Sequence, residues 1–334
     1  MSADALPQIH YYTIQDFTFQ DRTILPSARL AYLDINPQAS KVAVIPTCFR
    51  GRLHYTLNFS DGVFKDYRVI VVALFGNGES SSPSNTAGFP RSLDYRDCVG
   101  AQRQLIDHLG IDSIDAMAGF SMGGQTVYHW LLMYPGIVKN GVIICSSART
   151  SRHNYQFLEG PRAALENSLD YAGFHTLSKG PKPIRGLRAF GKAYSAWLTS
   201  AEWFEEEGYK TLGYETLAAW DKEAAGTSYD DWHPDDLLIM LRMWQNGDIS
   251  KCVSDSLGST NDALSRIKAR VLLMPSKTDQ YFRWEASEKE ARHIPDATLE
   301  VIPSIWGHTA GGGLNGQDTR WMDQKIAEFL GRPV

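Results

Sequence analysis

Gly119-Phe120-Ser121-Met122-Gly123-Gly124 is the stretch whose reading decides the fold. It follows a strand-like run, Ser113-Ile114-Asp115-Ala116-Met117-Ala118, and precedes a helical pattern over residues 125–134. A strand that turns sharply into a helix at Gly-x-Ser-x-Gly is the setting in which a serine hydroxyl is lifted out of a sheet as a nucleophile. Glycines permit the strained turn, and the N-terminal N–H groups of the helix aim its positive dipole end at the same spot. Without its flanks the motif would read equally well as a tight turn; with them Ser121 is the candidate nucleophile.

Working outward, Val42-Ala-Val-Ile-Pro46, Val69-Ile-Val-Val-Ala-Leu74 and Val142-Ile-Ile-Cys145 are short, continuous apolar runs, as strands buried on both faces require. Residues 14–19 and 28–34 alternate loosely and read as antiparallel edge strands. Between the runs lie amphipathic stretches such as 95–109, where Val99, Leu105 and Leu109 share a period and Gly110 is a stop. Strand and helix alternate, which predicts a mostly parallel central sheet with helices on both faces. From about 150 to 256 the strand-like runs vanish. Trp197, Trp203, Tyr209, Tyr214, Trp220, Tyr229, Trp232 and Trp244 crowd that segment, and 235–244 is helical in pattern. Strand character returns at 270–274 and 299–302, and a helix over 321–330 closes the chain. The expected organisation is an α/β core in two parts, 1–149 and 257–334, interrupted by a helical lid over 150–256.

The 334 residues, 43% hydrophobic and 21% charged, are enough for one such core with an insertion. A net charge of -5 provides no basic stripe for phosphates, so nucleic acid is excluded as a partner. The start has no basic region followed by an apolar run, and no stretch of about 18 apolar residues occurs. No membrane partner is expected, and the expected location is cytoplasmic. Cys48, Cys98, Cys145 and Cys252 are widely spaced and the nine histidines are scattered, so neither a disulfide framework nor a metal site is expected. The partner is a small-molecule substrate, and the oligomeric state stays open, with a homodimer as one option.

This pattern is that of the α/β-hydrolase fold, in which the acid and then the histidine follow the serine on loops after later strands. His293 and His308 are the histidines of the final quarter. His293 ends a helical stretch before Ile294-Pro295, whereas His308 sits in Trp306-Gly-His-Thr-Ala-Gly311 after the last strand and is taken as the base. Asp279 directly follows the strand at 270–274 and is taken as the acid that orients it. Its competitor, Asp296, has an ordinary explanation as a turn residue. The oxyanion needs two N–H donors, expected from the backbone of Met122 and of Cys48, with Phe49 as second choice. The Cys48 thiol reads as a packing group. Arg50 and Arg52 are either ordinary surface residues or groups reaching the pocket to bind an acid. Two or three lid rings should line the cleft, and Phe49, Arg50, Trp197 and Thr309 are the candidate substrate contacts.

Taken together, Asp97-Cys-Val-Gly-Ala-Gln102, Leu109-Gly-Ile111, Gly119–Gly124, Met133-Tyr-Pro135, Ser146-Ser-Ala-Arg149 and Gly307-His308 resemble the homoserine O-acetyltransferase family, as does Leu74-Phe-Gly-Asn-Gly-Glu-Ser-Ser-Ser-Pro83. The resemblance implies a Ser121–His308–Asp279 acyl-enzyme mechanism with acetyl-coenzyme A as donor. It breaks at the substrate positions. The family places an arginine and a tyrosine on a lid helix where matching from Gly186-Leu187 finds Gly191 and Leu198, and an aspartate after the histidine where this chain has Thr309. Only a gapped alignment to Arg188 or Lys192 would restore the arginine.

Three functions follow from these residues. Hydrolysis of an ester, thioester or activated carbon–carbon bond of a fairly apolar molecule, without a cofactor, is favoured. The alternative is a coenzyme A-dependent O-acyltransferase with an acceptor other than homoserine. A non-catalytic binding protein on this fold is the third.

Overall fold

The computed structural model describes residues 6–173, 180–253 and 258–331. Strands β1 (His10–Thr18) and β2 (Ile24–Ile35) form an antiparallel hairpin. With β3 (Val42–Pro46), β4 (Arg68–Val72), β5 (Ala116–Phe120), β6 (Asn140–Ile144), β7 (Arg270–Met274) and β8 (Ala297–Leu299) they make one sheet, ordered β1-β2-β4-β3-β5-β6-β7-β8. β2 meets β4 antiparallel, and every later pairing is parallel. This is the α/β-hydrolase fold.

The continuous apolar runs work because successive side chains leave a strand on opposite faces. Val44, Ile70, Met117 and Ile143 join one core with α1 (Tyr95–His108) and α2 (Met122–Met133). Their neighbours Ala43, Val69, Ala118 and Val142 join a second core on the other face. Between β6 and β7 the described residues add no strand to the sheet, and the α-helices there are α3 (Arg152–Glu166), α4 (Ile184–Leu198), α5 (Ala201–Glu205), α6 (Leu217–Trp220), α7 (Pro234–Gln245) and α8 (Thr260–Ser265). α9 (Trp284–Ala291) precedes β8, and α10 (Gly316–Phe329) closes the chain, with Met322 and Ile326 in the second core. The boundary at 256/257 lies outside the described residues.

Several element ends differ from the sequence reading for local reasons. The strand expected through Leu74 stops at Val72, and the Leu74 N–H donates instead to Thr47 Oγ1 at 3.1 Å. The strand expected at 299–302 lies earlier, at Ala297–Leu299, and continues as a single bridge between Ser276 and Ile302. The helix expected from Gln125 begins at Met122, so Gly123 and Gly124 are helical while Gly119 lies in β5.

Buried polar groups tie the helices to the sheet. Tyr95 of α1 donates to Gln125 Oε1 at 2.6 Å, Gln125 Nε2 donates to Thr150 Oγ1 at 3.1 Å, and that hydroxyl donates to Trp244 O of α7 at 2.5 Å. On α9, Glu290 accepts from Tyr128 Oη of α2 at 2.7 Å and from the Ala148 N–H at 2.9 Å. Burial drives its carboxyl up from 4.5 to about 7, and the two donors only partly oppose the rise. Because the folded state holds this proton more tightly, the associated stability is complete below about pH 4.5 and is lost as pH rises through about 7. Chemical denaturation across pH 5–8 should show this decline, bounded above at about 3 kcal/mol, and Glu290→Gln should flatten it. An unchanged slope in the variant would assign the pH dependence to other groups.

Candidate active site

The site is built on the turn between β5 and α2. Ser121 takes φ 58 and ψ -124, a left-handed conformation unusual for a residue with a side chain, so the strain sits on the serine itself. The flanking glycines act by close approach. A Cβ at Gly119 would lie 2.3 Å from the Gly123 carbonyl, and one at Gly123 would lie 2.7 Å from Pro46 O. With no Cβ there, helix and strand touch, and hydrogen bonds fix the turn. The Ser121 N–H donates to Ile144 O at 2.9 Å, and Ser121 O accepts from the Gln125 N–H at 3.2 Å and Ser146 Oγ at 2.7 Å.

His308 and Asp279 meet as the sequence reading expects. His308 Nδ1 lies 2.6 Å from Asp279 Oδ2, with both side chains buried. The other carboxylate oxygen, Oδ1, accepts from the Tyr281 and Phe282 N–H groups at 3.0 Å each, so the loop after β7 grips the acid from behind. Around the imidazole stand Tyr281, Phe120 and Phe282, with ring centroids at 4.5, 4.6 and 5.6 Å. Since Nδ1 is committed to a carboxylate, that nitrogen carries the proton and Nε2 presents its lone pair. Gly307, at φ 58, lets the loop pass Thr199, whose backbone would lie 2.5 Å from an added Cβ. The competitors lie elsewhere: His293 and Asp296 are exposed at the α9–β8 turn.

Ser121 and His308 open into one cavity of about 230 Å³. Cys48, Phe49, Arg50 and Thr309 line it as well, as expected. Met122 is fully buried at the first turn of α2, where backbone N–H groups have no helical partner. Among the described residues the Met122 N–H has no protein acceptor, and the Cys48 N–H meets its own thiol. Packing pushes the Cys48 thiol up to about 12, so it stays protonated and inert. A second thiol is closer to the pair: Cys145 Sγ, Asp279 and His308 present ligand-type atoms within 4.8 Å of one another. Burial and the Asp279 charge hold that thiol well above its ordinary value, and His308 Nδ1 is already bonded. A metal here would need the thiolate and would break the His308–Asp279 bond, so the three do not fit a metal site.

Trp197 requires correction. It does not line the cavity; its ring packs on Phe157 at 4.8 Å and His153 at 5.5 Å, on another face of α4. The residues of α4 that do reach the cavity are Tyr194, three positions earlier, and Leu198, with Tyr229 from the segment before α7. Phe190 and Tyr194 share the buried face of a strongly amphipathic helix, a signal legible in the sequence. Arg52 also points elsewhere: its guanidinium donates to Asn77 O and lies 3.8 Å from the Trp232 ring centroid.

Comparison with known proteins follows the same line. A family model described as alpha/beta hydrolase fold matches residues 44–177. An ethyl acetate hydrolase from Pseudomonas veronii is 32% identical over 90% of this chain and 88% of its own length. The crystal structure of an acetylester hydrolase from Corynebacterium glutamicum superposes with a TM-score of 0.88 at 26% identity, covering 97% of this chain and 96% of that one. A homoserine O-acetyltransferase from Mesorhizobium japonicum is 28% identical over 72% of this chain and 66% of its own. With its sheet order, its serine turn and a relative this similar over nearly its full length, the chain belongs to the α/β hydrolase family.

Proposed function

We propose that this protein is a serine esterase that cleaves small, uncharged-acyl esters, acetyl esters foremost, through an acyl-enzyme on Ser121. One observation carries the reading: Ser121 and His308, the latter held 2.6 Å from Asp279, line a single small cavity together with Cys48. The names of the Pseudomonas and Corynebacterium relatives, an ethyl acetate hydrolase and an acetylester hydrolase, support it.

In this mechanism Ser121 Oγ attacks the ester carbonyl while His308 Nε2 takes its proton. The oxyanion that forms is met by the Met122 and Cys48 N–H groups, and Asp279 stabilises the imidazolium. The carbon–oxygen bond to the alcohol then breaks, and His308 returns the proton to the departing alkoxide. Water repeats the sequence on the acyl-enzyme: His308 takes a proton from water, the acid leaves, and Ser121 Oγ is reprotonated. Every group is supplied by the chain, so no cofactor is required. The segment 150–256 serves as a lid, because Tyr194, Leu198 and Tyr229 form part of the wall facing the nucleophile.

The acyltransferase alternative loses homoserine as acceptor. A Cβ at Gly191 would lie 2.4 Å from Ala225 O, so no arginine side chain fits there. Arg188 is paired at the surface with Asp230 at 2.9 Å and Lys192 with Asp221, so neither supplies the missing charge. Leu198 is apolar, and the Thr309 hydroxyl donates to Trp306 O at 2.7 Å. A zwitterion entering this pocket would lose hydration without gaining paired charges.

Ser121→Ala should reduce kcat on a short-chain ester by about 10⁴–10⁶ with an unchanged melting temperature, and a fluorophosphonate should label the wild type at Ser121 only. Full activity in the variant refutes the mechanism. In steady-state kinetics His308→Ala and Asp279→Asn should each lose about 10³-fold or more, against less than severalfold for His293→Ala and Asp296→Asn; the reverse ranking would reassign base or acid. Incubation with acetyl-coenzyme A and homoserine should yield no O-acetylhomoserine above background. Efficient formation would contradict the reading of Gly191, Leu198 and Thr309.

A further inference from the structure

The cavity around Ser121 is electrostatically one-sided. Among its lining residues Arg50 is the one with a permanent charge, and no Asp, Glu or Lys lines it. Arg50 belongs to the loop after β3 that also carries Cys48, and it takes φ 61, a left-handed conformation that costs a non-glycine residue energy. Its guanidinium lies 5.3 Å from the ring centroid of Tyr229, another wall residue. That contact holds an otherwise flexible side chain at the rim. Among the described residues no carboxylate pairs with Arg50, whereas Arg52, two positions on, is consumed by Asn77 O and the Trp232 ring. The charge of Arg50 is felt inside the site, where it opposes the burial that raises the Cys48 and Tyr229 pKa values.

An unpaired guanidinium at the mouth of a ring-lined cavity attracts an anion and repels a cation. Arg50 is exposed while Ser121 is buried, so the charge meets the part of a substrate that projects outward. The acetyl-ester reading assigns the inner part of this cavity of about 230 Å³ to the short acyl group and the rim to the alcohol part. We propose that Arg50 is a specificity-determining residue that selects esters whose alcohol part carries a carboxylate. The inference rests on the esterase reading. The planar fork of the guanidinium suits a carboxylate through two parallel hydrogen bonds, a geometry lysine cannot reproduce.

The test uses 4-acetoxybenzoate, anionic at neutral pH, and its neutral methyl ester, each with wild type, Arg50→Met and Arg50→Lys. The readout is the ratio of kcat/KM for anionic over neutral ester, which cancels differences between leaving groups when variants are compared. Arg50→Met should lower this ratio about tenfold, Arg50→Lys less, and added salt should lower it in the wild type but little in Arg50→Met. A ratio that does not move in Arg50→Met overturns the proposal while leaving the esterase reading intact. Calorimetric titration of 4-acetoxybenzoate into Ser121→Ala, with and without Arg50→Met, separates the two claims. Binding that needs Arg50 supports the selectivity even if neither ester is turned over, whereas equal binding in both proteins overturns it.

Discussion

The contact on which the rest of the site depends is between backbones. Where Gly119 near the end of β5, Gly123 in the first turn of α2 and Pro46 at the end of β3 meet, three segments pass so closely that one Cβ on either glycine would overlap a carbonyl. That approach leaves Ser121 no room for an ordinary helical or extended conformation and holds it at φ 58. The strain, of order 1–3 kcal/mol, is sustained by the Ile144, Gln125 and Ser146 hydrogen bonds and by the buried sheet beneath. The turn also sets the first turn of α2 beside the end of β3, with a Cβ on Gly123 falling 2.7 Å from Pro46 O and 3.3 Å from Thr47 O. Cores on both faces of the sheet make this arrangement rigid, so the N–H donors proposed for the oxyanion need not reorganise as charge develops.

A second constraint places His308, the proposed base. His308 lies on a short helical turn far from Asp279 in sequence, and its ring is fixed by three aromatic neighbours and one charged hydrogen bond. Tyr281 and Phe282 act twice, since their side chains flank the imidazole while their N–H groups hold the Asp279 carboxylate. Each oxygen of Asp279 is therefore satisfied in a dry setting, the arrangement in which a buried carboxylate orients a histidine. Cys145, beside both, is kept neutral by the same burial.

The parts of this arrangement legible in the sequence were those with local signatures. Apolar runs separated by amphipathic stretches gave the parallel strands, because alternate residues feed two cores. Gly-x-Ser-x-Gly between strand and helix pointed to the turn at Ser121, and the positions of Asp279 and His308 after strands pointed to the pair that lies 2.6 Å apart. What depends on three-dimensional packing was not legible. Trp197 and Leu198 are adjacent on α4, yet Leu198 faces the cavity and Trp197 packs on Phe157. Arg50 and Arg52 are equally basic and two residues apart, but only the structure separates the rim residue from the one held by Asn77 O. That the strain sits on Ser121 and not on its glycines is likewise a property of the fold.

The central claim is that Ser121 becomes transiently acylated. Its most direct measurement is rapid-quench mass spectrometry of the wild-type protein mixed with excess 4-nitrophenyl acetate, followed by peptide mapping. The account predicts an early population carrying one acetyl group, located on the peptide that contains Ser121 and discharged as the ester is exhausted. An acetyl group on another residue that turns over at the steady-state rate, or turnover that is undiminished in Ser121→Ala protein, would contradict it.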